Sequence, residues 1–261
     1  SWGVLREAAE YPNSFIALEP GQERLDSGRF TLYMDRIKSS NTVQRQSFRA
    51  EQVDDVIEEV RSLLRARGRT KTQWEIGSKA QPGGLADLLL ARGLRPDHEP
   101  YAVALVLDEE PPAAPSGVQA RLVATFEEFS EANEVQWKAF GLPPHELAER
   151  RAALRERWDS QSLVTHAAWI DGQLVAAGTS CPTPYGLALF GGATLPEARG
   201  RGAYRALIRA RWEHARASGA PALLTQAGSM SRPILERLGF RRVGHLDRLV
   251  DEFGGPPHAT S

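Results

Sequence analysis

The chain has 261 residues, 41 % of them hydrophobic and 25 % charged, with a formal net charge of -1. These values fit a water-soluble globular protein of two modest domains or one large one, and they exclude a general electrostatic pull toward nucleic acid or an anionic membrane. No apolar run reaches the ~18 residues needed to span a bilayer, and the lone Cys181 excludes an intrachain disulfide and fits a reducing cytoplasm.

No signal peptide is visible, and a chain that opens at Ser1 without Met is expected to have a trimmed start. None of the six histidines sits in a persuasive metal motif, so no metal is expected.

In the first half, Val53, Val56, Ile57, Val60, Leu63 and Leu64 mark an amphipathic helix that ends near Gly68. "TQWEIGS" follows as a strand and "LADLLLARGL" as a second helix. Glu109–Gly117, "EEPPAAPSG", is stiffened by three prolines and reads as an interdomain linker.

Beyond it, Val118–Val123 is a strand, and Thr125 with Glu128 forms a capping box for a helix that stops at Gly141. A second helix spans His145–Trp158. Leu163–Ile170 and Gln173–Ser180 read as strands joined by Asp171-Gly172, a two-residue hairpin signal. "CPTPYG" is expected to turn the chain, and Leu187–Leu195 is an apolar strand containing Gly191 and Gly192. Tyr204, Leu207, Ile208, Trp212 and Ala215 lie at helical spacing, closed by Gly219. Ala222–Ala227 is a buried strand, "RPILERL" a short helix closed by Gly239, and Phe240 opens a final strand. The tail "GGPPHATS" from Gly254 is expected to fray.

The two halves repeat. Gly68 and Gly77-Ser78 match Gly219 and Gly228-Ser229 at one offset of 151 residues, and the second helices align after an insertion. The expected partition is therefore a degenerate domain at 1–108, a linker at 109–117, a second domain at 118–253 and a flexible tail at 254–261. The first copy has only 47 residues ahead of Phe48, so missing strands are expected there.

One stretch stands out in the second copy. Arg199-Gly200-Arg201-Gly202 precedes a long helix, directly after a strand. The first N–H groups of a helix have no internal acceptor, and the dipole there is positive. Glycine lets a ligand approach the backbone, and arginine offers forked donors for phosphate. The combination suits a diphosphate. The counterpart in the first copy, "FRAEQV" from Phe48, has no glycine.

Arg199-Gly200-Arg201-Gly202-Ala203-Tyr204 resembles the acetyl-CoA signature of the GNAT superfamily of N-acetyltransferases, Arg/Gln-x-x-Gly-x-Gly/Ala, with Tyr204 in place of the closing small residue. Pro196-Glu197 upstream and "LERLGF" downstream strengthen the likeness, and the paired halves resemble tandem GNAT proteins. The resemblance implies an α/β (α+β) fold with a mixed central sheet flanked by helices in each half. It implies an N-acetyltransferase that moves an acetyl group from acetyl-CoA to a primary amine, small molecule or peptide, by direct transfer in a ternary complex. It brings no metal, and a homodimer is compatible with it. The cofactor-binding residues it implies are Gly192, Ala193, Thr194 and Leu195 along the strand, and Arg199, Gly200, Arg201, Gly202, Ala203 and Tyr204 in the loop.

The pattern departs at two positions. Where many GNAT enzymes carry a Tyr that protonates the departing thiolate, this chain has Leu235, and Gly228 stands where they have an Asn. Another hydroxyl is then needed, with Ser229, Ser231, Tyr185 and Tyr204 as candidates. Glu134 is the candidate base, Trp137 and Phe140 are candidate linings of an acceptor pocket, and Cys181 is not expected to act as a nucleophile. The catalytic set expected from the sequence is Glu134, Tyr185 and Ser231. Leu235 also motivates the alternative, a catalytically silent CoA-binding sensor or scaffold.

Overall fold

The computed structural model describes residues 2–254, so most of the expected tail, from residue 255 onward, lies outside the described residues. The first half opens with a helix, α1 (Trp2–Glu10), and three short strands, β1 (Glu23–Asp26), β2 (Thr31–Met34) and β3 (Asn41–Gln44). Then come α2 (Val53–Arg65), β4 (Lys71–Gly77), α3 (Leu85–Leu90) and the long β5 (Arg95–Leu107). The second half begins with β6 (Val118–Leu122), α4 (Phe126–Phe140), α5 (Pro144–Ala152) and α6 (Leu154–Ser160). It continues with β7 (Val164–Ile170), β8 (Gln173–Thr183), β9 (Gly186–Thr194), α7 (Ala203–Ala217), β10 (Leu223–Ala227), α8 (Arg232–Arg237) and β11 (Arg241–Glu252). Among the described residues no helix is long and apolar enough to cross a membrane.

Local chemistry explains most of these elements. Thr125 Oγ1 accepts the Glu128 N–H at 3.2 Å, while the Glu128 carboxylate accepts the Ala124 N–H at 2.7 Å, so the start of α4 is capped from both sides. Asp171 and Gly172 both take positive φ, 52° and 78°, as a tight hairpin requires. Gly68 and Gly219 end α2 and α7 at φ 64° and 79°, so the repeated glycines do the same work in both halves.

Three strands precede α2 against four ahead of α7, so the first copy is one strand short, as expected. Two expectations are corrected. The helix expected over 145–158 is broken at Ala153 into α5 and α6. The segment "CPTPYG" is strand as far as Thr183. Pro182 pairs with Leu187 on β9, and β7 pairs with β8 only as far as Ser180, so the missing N–H of Pro182 deprives no neighbour.

The eleven strands form one sheet in the order β1-β2-β3-β4-β11-β5-β10-β9-β8-β7-β6. The two halves exchange their last strands. β11, from the second half, lies antiparallel to β4, with Leu246 opposite Gly77 and Glu252 opposite Lys71. β5, from the first half, lies antiparallel to β10, with Ala227 opposite Val103. The exchanged strands also pair with each other. Arg61 on α2 forks onto the buried Asp251 of β11 with two 2.8 Å bonds. Where the halves meet, Gln226 donates to Glu75 at 2.9 Å, and these two residues are separated by the repeat offset of 151.

Helices cover both faces. α7 and α8 pack through Ile208, Trp212 and Leu235 on Val103, Leu189 and Leu223, whereas α1 packs through Ala8 and Ala9 on Ala104 and Leu224 of the opposite face. α2 and α3 cover β2 to β4 around the buried Trp74.

Candidate active site

β9 and β10 run parallel only briefly, with Leu187 opposite Leu223 and Ala188 opposite Leu224. Beyond that point they part. On its other side β9 carries a bulge: Ala193 pairs with Ala177 and Phe190 with Thr179, so Gly191 and Gly192 together face Gly178. Gly191 has φ 58°, and the Gln136 Oε1 of α4 sits 2.5 Å from where a Cβ would be. The Gln136 Nε2 and the Thr194 Oγ1 are buried without a hydrogen-bond partner among the described residues.

A cation braces this bulge from beneath. Arg211 of α7 is 1 % exposed and donates to the carbonyls of Thr179 at 2.9 Å and Phe190 at 3.1 Å. No carboxylate pairs with it among the described residues, and burial pushes its pKa down to about 10. A Cβ on Gly178 would fall within its guanidinium group, and one on Gly192 would crowd Tyr204 at 3.1 Å. Gly178 is therefore required by packing, and a side chain at Gly192 would need Tyr204 and Arg211 to give way by a few tenths of an ångström.

The chain leaves β9 through a single 3-10 turn and reaches α7 by way of Gly200 (φ 77°) and Gly202 (φ 85°). The first intrahelical bond at this end is Ala206 N–H to Gly202 O, 3.0 Å. The N–H groups of Gly200 through Arg205 donate to no protein acceptor among the described residues. Around them, Arg199 donates to Thr194 O at 3.4 Å and Arg201 pairs with Asp171 at 3.0 Å. The linker runs back along α7. Arg209 donates to Pro111 O, Arg205 donates to Ala113 O at 2.7 Å, and Pro115 sits where a side chain at Gly202 would have to go.

The same place in the first half is largely engaged by the chain, with the N–H groups of Ala50 and Glu51 left over among residues 48–53. Arg49 N–H donates to Gln52 Oε1 at 3.0 Å, Gln52 N–H to Arg49 O at 2.9 Å, and Phe48 N–H to Gln81 O at 3.4 Å. Gln46 fills the space beside β4 through bonds to Val43 O and Glu75 O. Gly77 is covered by Tyr11, whose hydroxyl accepts its N–H at 2.8 Å, and by the buried Glu10.

The expected catalytic residues are not brought together. Ser231 opens α8 at the same end of the sheet as the glycine loop, and its carbonyl accepts the Leu235 N–H at 3.0 Å. Tyr185 lies in the β8–β9 turn, edge-on to Phe15 at 5.4 Å. The nine residues of β9 separate it from the loop by about 30 Å. Tyr185 is thus at the wrong end of the strand to protonate a group in this cleft. Glu134 is gripped by Arg151 through bonds of 2.5 and 2.8 Å, which holds its carboxyl below the usual range.

The other candidates are also placed. The Tyr204 ring is half-buried beneath β9, and Trp137 belongs to the core under α4, whereas Phe140 is exposed. Burial pushes the Cys181 thiol up to about 12, which removes it as a nucleophile. Gln136 and Arg211 were not expected from the sequence. Arg211 could have been found, because it falls on the buried stripe with Tyr204, Ile208 and Ala215.

The site is thus a parallel strand pair that splays beside a bulge, with open amides at the start of the following helix. Residues 124–240, in the second half of the chain, match the Acetyltransferase (GNAT) family. No curated protein matches the chain.

Solved structures share the whole fold. A GCN5-related N-acetyltransferase from Kribbella flavida is 20 % identical, with 92 % of each chain covered and a TM-score of 0.68. A conserved protein from Staphylococcus epidermidis is 12 % identical over 93 % of this chain and 97 % of its own, TM-score 0.70. A tandem GNAT protein from the clavulanic acid biosynthesis pathway is 17 % identical over 98 % and 95 %, TM-score 0.61. The architecture is the tandem GNAT fold.

Proposed function

We propose that the chain is an acyl-CoA-dependent N-acetyltransferase with a single coenzyme site, in its second half, that transfers an acetyl group directly to a primary amine in a ternary complex. The observation that carries this reading is the contrast between two equivalent helix starts. The amides of Gly200–Arg205 have no protein acceptor among the described residues, while at the first half's helix start Phe48, Arg49, Gln52 and Val53 donate within the chain and only Ala50 and Glu51 among residues 48–53 do not.

In this reading the amides from Gly200 to Tyr204 hold the diphosphate at the positive end of α7. Arg199 and Arg201 add charge, Arg201 by exchanging Asp171 for a phosphate oxygen. The backbone from Gly192 to Leu195 binds the pantetheine arm, and Ser231 flanks it. Acetyl-CoA supplies an activated acyl group on a thiol of pKa about 8.5, a tolerable leaving group near neutrality. Leucine at 235 removes a general acid, a loss of roughly 10²–10⁴ in rate that slows transfer without forbidding it. An N–H near Thr194 is directed at the oxygen where charge develops. Glu134, held by Arg151, braces α4 against α5 instead of acting as the base. The first half supports the fold, and a cytoplasmic setting fits a single buried cysteine.

The test is thiol release from acetyl-CoA across a panel of primary amines: spermidine, lysine, a lysine-containing peptide and an aminoglycoside. Release dependent on at least one amine is the expected result. Binding of CoA with no thiol released by any amine would mark a silent coenzyme-binding protein instead.

A further inference from the structure

We propose that Glu99, a residue of the first half, is the carboxylate that meets the incoming amine in the second half's site and takes its proton. The proposal rests on the transferase reading above. β5 and β11 pair at Ala102–Leu246 and Tyr101–Asp247, then resume at Pro96–Leu249 and Arg95–Val250. Asp97 through Pro100 thus stand opposite the single Arg248. Such a bulge re-aims a side chain, and bulges favour the neighbourhood of active sites. Here it carries Glu99 off the line of β5 and over the end of the adjacent β10.

The contact is close. Glu99 Oε2 lies 2.5 Å from where a Cβ on Gly228 would be, with Cδ and Oε1 at 2.9 Å. The carboxylate therefore rests on bare backbone, and any side chain at 228 would displace it. Gly228 follows the alternation of Leu224 and Gln226, which face the α1 side, whereas Leu223 and Ala227 face α7 and α8. Glu99 therefore stands on the face away from α7, at the end of β10, beside the gap where β9 and β10 part. An acyl arm entering from the amides of α7 would emerge on that face.

Its surroundings suit proton transfer. Glu99 is exposed, and no hydrogen bond or ion pair engages it among the described residues. In the first copy the carboxylate over the matching Gly77 is Glu10, which is buried and accepts from the Ser78 N–H at 3.2 Å and from its hydroxyl. One copy is sealed, and the other is left with a free acid.

The step balances as follows. The ammonium gives one proton to the Glu99 carboxylate, and the freed nitrogen bonds the acetyl carbon. The carbon–sulfur bond breaks with its electron pair going to sulfur, and the second nitrogen proton passes to the departing thiolate. Deprotonating a lysine-type amine at pH 7 otherwise costs roughly 4–5 kcal/mol. The substrate class that needs Glu99 is thus a strongly basic, cationic primary amine.

The experiment compares the full chain with Glu99→Gln and, independently, Gly228→Ala, which pushes the carboxylate away. Each is assayed for thiol release with the alkylamine that the wild type accepts and with methoxyamine, which is already neutral at pH 7. CoA affinity is measured alongside by calorimetry. Both variants should keep the wild-type CoA affinity, lose about 10²–10⁴-fold in kcat/KM with the alkylamine, and lose far less with methoxyamine. Unchanged alkylamine turnover, or equal losses with both amines, overturns the role of Glu99 while leaving the transferase reading intact. A wild type that turns over no amine overturns both.

Discussion

Gly200→Asp should fold as the parent does and lose coenzyme A. Gly200 has φ 77° and no atom within 4 Å of where a Cβ would stand, and aspartate tolerates that backbone region better than most residues. The new carboxylate would lie against the open amides at the start of α7, satisfying donors there and complementing the dipole. It would also repel a diphosphate and occupy its donors. Hydrogen bonds to charged groups contribute about 1.5–3 kcal/mol each, so losing two raises the Kd at least ~100-fold. Calorimetry with CoA reads the affinity, and a thermal melt at or above that of the parent shows that the fold persists. Tight CoA binding by this variant would remove the loop from the site. Substitution at Gly202 cannot make this test, because any side chain there meets Pro115 and disturbs the linker as well.

Separated at the linker, the halves should not fold. In a fragment of residues 1–108, β5 has lost both its neighbours, since β10 and β11 belong to the other half. In the complementary fragment β11 likewise loses β4 and β5. Unpaired strands expose a row of backbone donors and acceptors and the apolar faces of Val103, Leu105 and Leu246. Each fragment alone should show no cooperative thermal transition, while co-expressed fragments should associate and melt together. A fragment that melts cooperatively by itself would mean that the exchange is dispensable. Within the intact chain, Arg61→Met strands the buried Asp251 and should cost about 3 kcal/mol in urea unfolding.

Much of the fold was legible because its signals are local. Thr125 with Glu128, Asp171 with Gly172, and the matched Gly68 and Gly219 each fix a helix start, a turn or a helix stop within a few residues. The helix α1 carried no cap and only a short apolar face, so nothing announced it. The exchange of β5 and β11 was hidden for a different reason: β11 read as an ordinary final strand, β5 was not singled out at all, and partner choice depends on residues more than 100 positions away. The site divides in the same way. The RGRG loop is a contiguous signal, and the structure leaves its amides open. Tyr185 looked near in sequence, yet nine residues of extended chain carry it to the far end of β9. Glu99 was beyond reach, because only the exchanged strand and its bulge bring it to Gly228. Gly178 and Gly192 read as plain strand glycines until Arg211 filled the space beneath them.

Calorimetric titration of CoA into the full chain tests the central claim most directly. One site per chain, abolished by Gly200→Asp, is the predicted result, since one helix start follows a glycine loop with open amides and its twin has no glycine and bonds most of its own amides. Two equivalent sites per chain, or none, would contradict it.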